Sequence, residues 1–235
     1  MYGTAFVAGA TGYTGRALIG ELRRLGVTTI AHIRPDSERL DGWHNEFGAA
    51  GALVDSTPWD ENALARTLSA AAPTVVFALL GTTRARMRRS GGSDSYETVD
   101  YGLSAMLLRA VQRSVPHARF VYLSSAWVGP SARAAYLRVR WRFEEELRAS
   151  GVAWTIARPM FITGSDRTEP RPLERAAAAV LDGALRIAGA LGANGVQQRY
   201  ATLSATELAR GLAAYGLSAG GEGLVLGPEA LRGAT

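Results

Sequence analysis

The chain contains no cysteine and no lysine. Without cysteine there are no disulfides, no thiolate metal sites and no cysteine nucleophile, although this alone assigns no compartment. Without lysine, all 26 basic residues are arginine. Long apolar runs are missing too: no stretch approaches about eighteen residues without a charge, the length a membrane-spanning helix needs. Met1 leads straight into a strand-like run, with no basic segment passing into an apolar one. Neither secretion nor a membrane partner is therefore expected, and a cytoplasmic location is. Disorder-prone composition, internal repeats and an interdomain linker are lacking as well.

What is present is the composition of an ordinary soluble globular protein. At 235 residues, 47% hydrophobic and 20% charged, one domain is expected over residues 1–235, with a core at 1–159 and an elaboration at 160–235. The net charge of +5 raises the question of nucleic acid. No zinc-binding, helix-turn-helix or aromatic RNA-binding signature accompanies the arginines, so no nucleic-acid partner is expected. The densest group, Arg84, Arg86, Arg88 and Arg89, falls in a loop-like stretch after a strand. It is either a solvated loop or a positive border to phosphates or an anionic substrate.

The run Thr4 to Ala8 reads as a strand and passes at once into Gly9-Ala10-Thr11-Gly12-Tyr13-Thr14-Gly15 and a helix-like stretch. Three glycines spaced three apart let the backbone turn tightly and let a pyrophosphate approach without Cβ interference, while the third lets helix pack on strand. Free N–H groups and the positive dipole end at Tyr13, Thr14 and Gly15 favour an anion there, with Gly9, Thr11 and Gly12 forming the turn. Ala17, Leu18, Leu22 and Leu25 continue at helical spacing until Gly26 stops the helix. The next strand, Thr28 to Ile33, ends at Arg34. Where an NAD-binding unit carries a carboxylate for the ribose 2′-hydroxyl, this chain offers a guanidinium, which favours NADP(H) over NAD(H). Ser37 is a candidate second donor, and Asp36 is the neighbour able to spoil the site.

Short apolar runs then alternate with helical patterns, the signature of βαβ units and a parallel sheet with helices on both faces. Ala52 to Val54 reads as a buried strand ending at Asp55, a carboxylate placed either for the adenine amine or to cap the following turn. Thr57, Pro58 and Asp60 read as N-cap, first-turn proline and capping partner of a helix to about Ala71. The run Thr74 to Leu80 is continuously apolar, hence buried on both faces, and ends in Gly81-Thr82-Thr83 beside the first strand, where Gly81 allows close approach of cofactor. A helix from about Tyr96 to Arg113, a strand Arg119 to Leu123, a helix from about Ala135 to Ser150 and a strand Ala153 to Ala157 follow. In the last third, Pro170 and Pro172 introduce an Ala-rich helix to about Leu191. Ser204 with Glu207 forms a capping box for a helix to about Leu217, and Gly223 to Leu226 adds an edge strand. Residues 160–200 are the candidate specificity region.

Ser125 ends a strand, while Tyr136 and Arg140 fall four apart on one helical face. A hydride-transfer enzyme that reduces a carbonyl needs a proton donor for the developing alkoxide. A phenol serves if a nearby cation stabilises its anion, and a serine hydroxyl can orient the carbonyl. The alternative is that Tyr136 merely packs.

The Gly9 to Gly15 turn, Leu80-Gly81-Thr82-Thr83-Arg84, the Ser124-Ser125 pair and Tyr136-Leu137-Arg138-Val139-Arg140 together resemble the atypical short-chain dehydrogenase/reductases. Within them they most resemble the Tat-interacting-protein-like group. The resemblance runs from Ala8 to about Pro159 and is looser beyond. It implies a Rossmann-type, doubly wound α/β fold with a small C-terminal lobe, bound NADP(H), and Ser125 and Tyr136 as the polar pair over the nicotinamide. It also implies that Leu80, Gly81 and Thr82 border the cofactor and that Arg158-Pro159 lies near the carboxamide.

In that family the pattern is YxxxK, and here it is YxxxR. Arginine keeps the charge but is planar, bulkier and effectively never deprotonates. Either a chain without lysine has accepted arginine with activity kept, or the site has lost its chemistry. Two functions follow: an NADP(H)-dependent oxidoreductase acting on a small carbonyl or alcohol, or a non-enzymatic dinucleotide sensor working through a protein partner. A homodimer is compatible with either.

Overall fold

The computed structural model describes residues 3–160, 162–163 and 202–234. Strands β1 (Thr4–Ala8), β2 (Thr28–His32), β3 (Leu53–Asp55), β4 (Val75–Ala78), β5 (Arg119–Leu123), β6 (Trp154–Ala157) and β9 (Leu224–Leu226) form one sheet in the order β3-β2-β1-β4-β5-β6-β9. Every neighbouring pair is parallel. A separate parallel pair joins β7 (Ile162–Thr163) to β8 (Leu203–Ser204). The helices are α1 (Tyr13–Arg24), α2 (Leu40–Ala49), α3 (Glu61–Ala71), α4 (Arg84–Arg89), α5 (Ser104–Ser114), α6 (Ala135–Ala149), α7 (Ala205–Leu217) and α8 (Pro228–Gly233), with π-helical turns at Tyr96–Leu103 leading into α5.

The continuous apolar runs produce this arrangement. All four residues of β4 are buried, as a central parallel strand covered on both faces requires. Alternate residues of β1 divide between two cores. Ala5 and Val7 join Leu18, Leu22, Leu208 and Leu212 on the α1 and α7 side, while Phe6 and Ala8 join Leu64, Leu108, Phe143 and Leu147 on the α3, α5 and α6 side. Chain order reverses between β1 and β4, and the crevice above their carboxyl ends is where such sheets bind ligands.

Several expectations are corrected. Helix α2 has no counterpart in the sequence reading; it is anchored by Trp43 and Phe47, one turn apart and stacked at 5.7 Å. Strand β3 lies at the sheet edge with Leu53 exposed, so it is not a buried strand. Asp60, not Thr57, caps α3, accepting from the Ala63 N–H at 2.8 Å. Thr57 instead bonds Asp55 and Thr67. The arginine-rich stretch at 84–89 is a short helix capped by Thr83 rather than a loop. The capping box of Ser204 and Glu207 and the strand at Leu224–Leu226 match expectation. The Ala-rich helix expected from Pro170 to Leu191 lies outside the described residues.

Candidate active site

The turn after β1 is built around its glycines. Gly9 sits at φ +85°, and a Cβ there would lie 2.5 Å from the Leu79 carbonyl oxygen. A Cβ on Gly15 would fall on the Gly9 carbonyl oxygen and 2.7 Å from that of Ala10. Gly12 is the N-cap of α1 and supplies no side-chain cap; its N–H donates to Gly9 O at 3.1 Å, and Arg16 N–H donates to Gly12 O at 3.0 Å. The mouth of α1, formed by Thr11, Gly12, Tyr13, Thr14 and Gly15, is thus glycine-lined backbone with the positive end of the helix behind it, a setting that fits a pyrophosphate. Replacing Gly15 by alanine displaces the Gly9 and Ala10 carbonyls of the turn and should weaken nicotinamide dinucleotide binding by roughly tenfold or more, the order of the about 1–3 kcal/mol that overpacking costs. Fluorescence titration of the folded variant checks this, and an unchanged affinity would remove the cradle assignment.

The neighbouring strand end completes the crevice. Ala8 pairs with Ala78, and Leu79 N–H donates to Ala8 O at 2.9 Å, so Leu80-Gly81-Thr82 runs beside the glycine turn. Two polar atoms here, Thr82 Oγ1 and Arg140 Nε, are buried without a hydrogen-bond partner among the described residues. Buried polar atoms are nearly always bonded, so the pair fits a site completed by a polar ligand. Gly81 has a further role: a Cβ on it would lie 2.9 Å from Arg140 Nη2, so the missing side chain makes room for the guanidinium.

Arg140 comes from α6 and is 5% exposed. Its two Nη groups donate to Tyr122 Oη at 3.1 Å, to Leu123 O, to Leu80 O at 3.1 Å and to Asp100 Oδ1 at 2.8 Å. It therefore ties the ends of β4 and β5 to α6. The guanidinium carbon lies 4.8 Å from the centroid of the Tyr136 ring, which on its other contact meets Tyr96 at 5.2 Å. Burial disfavours its charge, but Tyr122, Tyr136 and Asp100 outweigh this and hold its pKa above the ordinary arginine value. Asp100, completely buried on the π-helical turns, also accepts from Thr82 N–H at 3.0 Å. Burial pushes its carboxyl up, against the pull of Arg140 and that N–H.

Ser124 and Ser125 follow β5 and diverge in role. Ser124 Oγ donates to Glu144 Oε1 at 2.6 Å, and the fully buried Glu144 also accepts from Arg148 at 2.8 Å and from Arg158. Arg158, expected near the carboxamide, thus commits its guanidinium to Glu144, while Pro159 O accepts from Ala126 N–H at 2.9 Å and fixes the Ser125 turn. Ser125 is half-buried at the strand end. A cavity of about 450 Å³ is lined by Met87, Tyr96 and Glu97 on one side and by Ala135, Val139 and Arg142 of α6 on the other; Tyr136, Ser125 and Arg140 are not among its lining residues.

Arg34 lies past the end of β2, exposed, with its Nε 3.6 Å from Asp36 Oδ1. Ser37 N–H donates to Arg34 O at 3.2 Å. Asp55 shows the turn-capping geometry of its two readings, accepting from Thr57 Oγ1 at 2.7 Å and Thr57 N–H at 3.3 Å. The sheet thus gathers the glycine turn, residues 80–82, Ser125, Tyr136 and Arg140 at one edge, with Arg34 and Asp55 at the ends of β2 and β3. Sequence reasoning missed Asp100, Tyr122 and Glu144. The available signal was a carboxylate set in the apolar stripe of Val99, Leu103 and Leu107 opposite an arginine in the apolar stripe of α6.

A sheet of this order with a glycine cradle at its switch point defines a dinucleotide-binding Rossmann protein. The family profile described as NAD(P)H-binding matches residues 9–186, and the chain belongs to that family. Protein fmp52-1, mitochondrial, of Aspergillus terreus is 32% identical over 173 residues, covering 72% of this chain and 70% of that protein. The chloroplastic divinyl chlorophyllide a 8-vinyl-reductase of Oryza sativa subsp. indica is 31% identical over 169 residues, covering 66% of this chain and 39% of that protein. Among solved structures, UDP-glucose 4-epimerase from Brucella ovis in complex with NAD superposes with a TM-score of 0.66 at 15% identity, covering 96% of this chain and 77% of that one. This last likeness shows the fold. Together with the family, it agrees with the short-chain dehydrogenase/reductase resemblance.

The cytoplasmic expectation is overturned by these relatives: the Aspergillus fmp52 proteins are named mitochondrial. Composition and the lack of long apolar runs bear on secretion and membrane spanning, not on which internal compartment holds a protein. No helix among the described residues is long and apolar enough to cross a membrane.

Proposed function

We propose that the chain is an NADP(H)-dependent oxidoreductase of the short-chain dehydrogenase/reductase type acting on a small carbonyl or alcohol. The observation that carries this reading is the placement of the Tyr136 ring against the Arg140 guanidinium, at the strand edge that also holds the glycine cradle. When bound, the nicotinamide supplies or accepts hydride. Tyr136 gives its phenolic proton to the carbonyl oxygen, the Arg140 charge at its ring face favours the resulting phenolate, and Ser125 orients the carbonyl by hydrogen bonding. Residues 160–200 are the candidate specificity region, within a single dinucleotide-binding domain spanning residues 1–235. Gly9 through Gly15, Leu80, Gly81 and Thr82 hold the pyrophosphate and the adjoining ribose. Asp55 borders the adenine end, and the Arg158-Pro159 turn borders the carboxamide.

Arg34 sets the preference for NADP(H): released from Asp36, its guanidinium takes the 2′-phosphate. The variant Arg34→Ala should lose about tenfold in NADPH affinity relative to NADH, the order expected for one charge-assisted contact. Equal loss of both, or no loss, would sink the 2′-phosphate assignment. The oxidoreductase reading is tested by following NADPH consumption over a panel of aldehydes, ketones and quinones. Turnover of one or more is expected.

One observation favours a second reading. The Nη donors of Arg140 are all engaged with Tyr122, Leu123, Leu80 and Asp100, so they are committed to protein where the family's lysine bonds the nicotinamide ribose. A nucleotide sensor acting through a protein partner accounts for this, and tight NADPH binding with no turnover across the panel would select it.

A further inference from the structure

Asp100 touches none of the residues assigned to proton transfer except Arg140, yet its carboxylate is completely buried at the strand edge. The geometry points to Asp100 as a positioning residue that fixes the Arg140 guanidinium against the Tyr136 ring and cancels part of the charge the ring meets. The inference rests on the oxidoreductase reading for its kinetic consequences, but its geometric content stands apart from turnover.

Three facts support it. First, Asp100 is held from two sides, by Thr82 N–H at 3.0 Å and by Arg140 Nη2 at 2.8 Å, so the carboxylate is itself fixed to the end of β4. It is fixed further because Ser104 Oγ donates to the Asp100 carbonyl at 2.7 Å within the π-helical turns, a wide geometry that recurs at functional sites. Second, the guanidinium has no freedom to choose another place. Gly81 leaves it just enough room, and the Leu80 and Leu123 carbonyls and the Tyr122 hydroxyl take its remaining Nη hydrogens. Third, the ion pair is dry: Arg140 is 6% exposed at its side chain and Asp100 0%. In such surroundings a carboxylate 2.8 Å from a guanidinium cancels much of the field felt at the ring beyond it. The other titratable groups of the cluster are Tyr96 on the π-helical turns and Tyr122 on β5, with Arg86 of α4 acting on Asp100 and Glu144 acting on Tyr122.

Substituting arginine for lysine at residue 140 thus comes with its own counter-ion. The ring therefore faces a guanidinium whose charge is partly cancelled by Asp100. The role is separable from mere stability because changing the charge and changing the reach of residue 100 have different consequences.

The experiment compares wild type with Asp100→Asn, which removes the charge, and Asp100→Glu, which keeps the charge but displaces it by one methylene. Two readouts are taken on folded protein: the aromatic NMR signals of Tyr136, assigned by their loss in Tyr136→Phe, and the pH profile of NADPH-dependent turnover. Both variants should move the Tyr136 ring signals. Asp100→Asn should shift the basic limb of the profile toward acid by about one pH unit, because an uncancelled cation favours the phenolate. Asp100→Glu should leave the profile in place while lowering kcat about tenfold with KM little changed, the signature of a displaced catalytic group. Unmoved ring signals in either folded variant overturn the placement, whether or not any substrate is turned over. Identical pH profiles in Asp100→Asn and wild type overturn the charge-cancelling role. Should Asp100→Asn not fold, an unchanged kcat in Asp100→Glu overturns the proposal by itself. Absence of turnover in wild type counts against the oxidoreductase reading alone, and the ring signals still decide the placement.

Discussion

Replacing Arg140 by methionine should destabilise the protein by about 3–5 kcal/mol, because it leaves a completely buried carboxylate without its counter-ion. For a chain of this size that corresponds to a fall of roughly 6–20 °C in the unfolding midpoint. The Tyr122 hydroxyl and the Leu80 and Leu123 carbonyls lose their donor as well, and buried acceptors left unmade add to the cost. The loss should depend on pH with a definite sign. Burial already raises the Asp100 carboxyl above its ordinary value, and removing Arg140 raises it further. A group whose folded pKa lies above its unfolded one binds protons on folding, so its contribution is present at low pH and is lost as pH rises through the folded value. The gap between Arg140→Met and wild type should therefore be small near pH 4 and widen toward pH 8. Adding Asp100→Asn to Arg140→Met should recover most of the difference at pH 8, since no buried charge then remains. Chemical denaturation at the two pH values measures all of this; a gap independent of pH would mean that the pair is not the source of the loss.

Tyr136→Phe should lower turnover on any productive carbonyl by about 10²–10⁴-fold, the span that a positioned proton donor contributes. The ring itself is retained, so its contacts with Tyr96 and with the Arg140 guanidinium persist and the fold should hold. NADPH affinity should stay within about twofold, because the hydroxyl rather than the ring acts in the step. Loss of kcat with binding preserved is the pattern of an interaction made in the transition state. Turnover that survives the substitution would remove tyrosine as the acid and transfer attention to Ser125 or to water.

Much of the architecture was legible because it is written in local periodicity. The apolar run before Gly9, the helical spacing of Leu18 and Leu22, and the Ser204 to Glu207 capping box are each confined to a few consecutive residues, and each appears where it was expected. Helix α2 escaped because its buried face is only two aromatic residues wide, in a segment otherwise polar and interrupted by glycine. The cap of α3 was misassigned because Thr57 and Asp60 are both good capping residues; Thr57 is drawn away by Asp55 and by Thr67, the latter ten residues on, which sequence order does not display.

The site divides the same way. The glycine cradle was readable because its function needs absent side chains at fixed spacing, and absence is visible in a sequence. The pairing of Tyr136 with Arg140 was readable because residues four apart share a helical face. Their meaning was not. In the sequence Arg140 stood only as a charge-keeping replacement for lysine beside Tyr136, whereas in the fold its Nη groups are also spent on two strand ends, a tyrosine and Asp100 forty residues away. Likewise the bond from the Arg158 guanidinium to Glu144, fourteen residues back, is not displayed by sequence order.

The sequence by itself therefore determined the class of fold, and it nominated the glycine turn and Tyr136 as candidate cradle and candidate proton donor, since each depends on short-range backbone geometry and on spacing along one element. Only the tertiary structure decided which charges neutralise one another. Burial removes water as the default partner of every buried ion, and the partner that replaces it is whichever group the packing of distant strands and helices brings within about 3 Å.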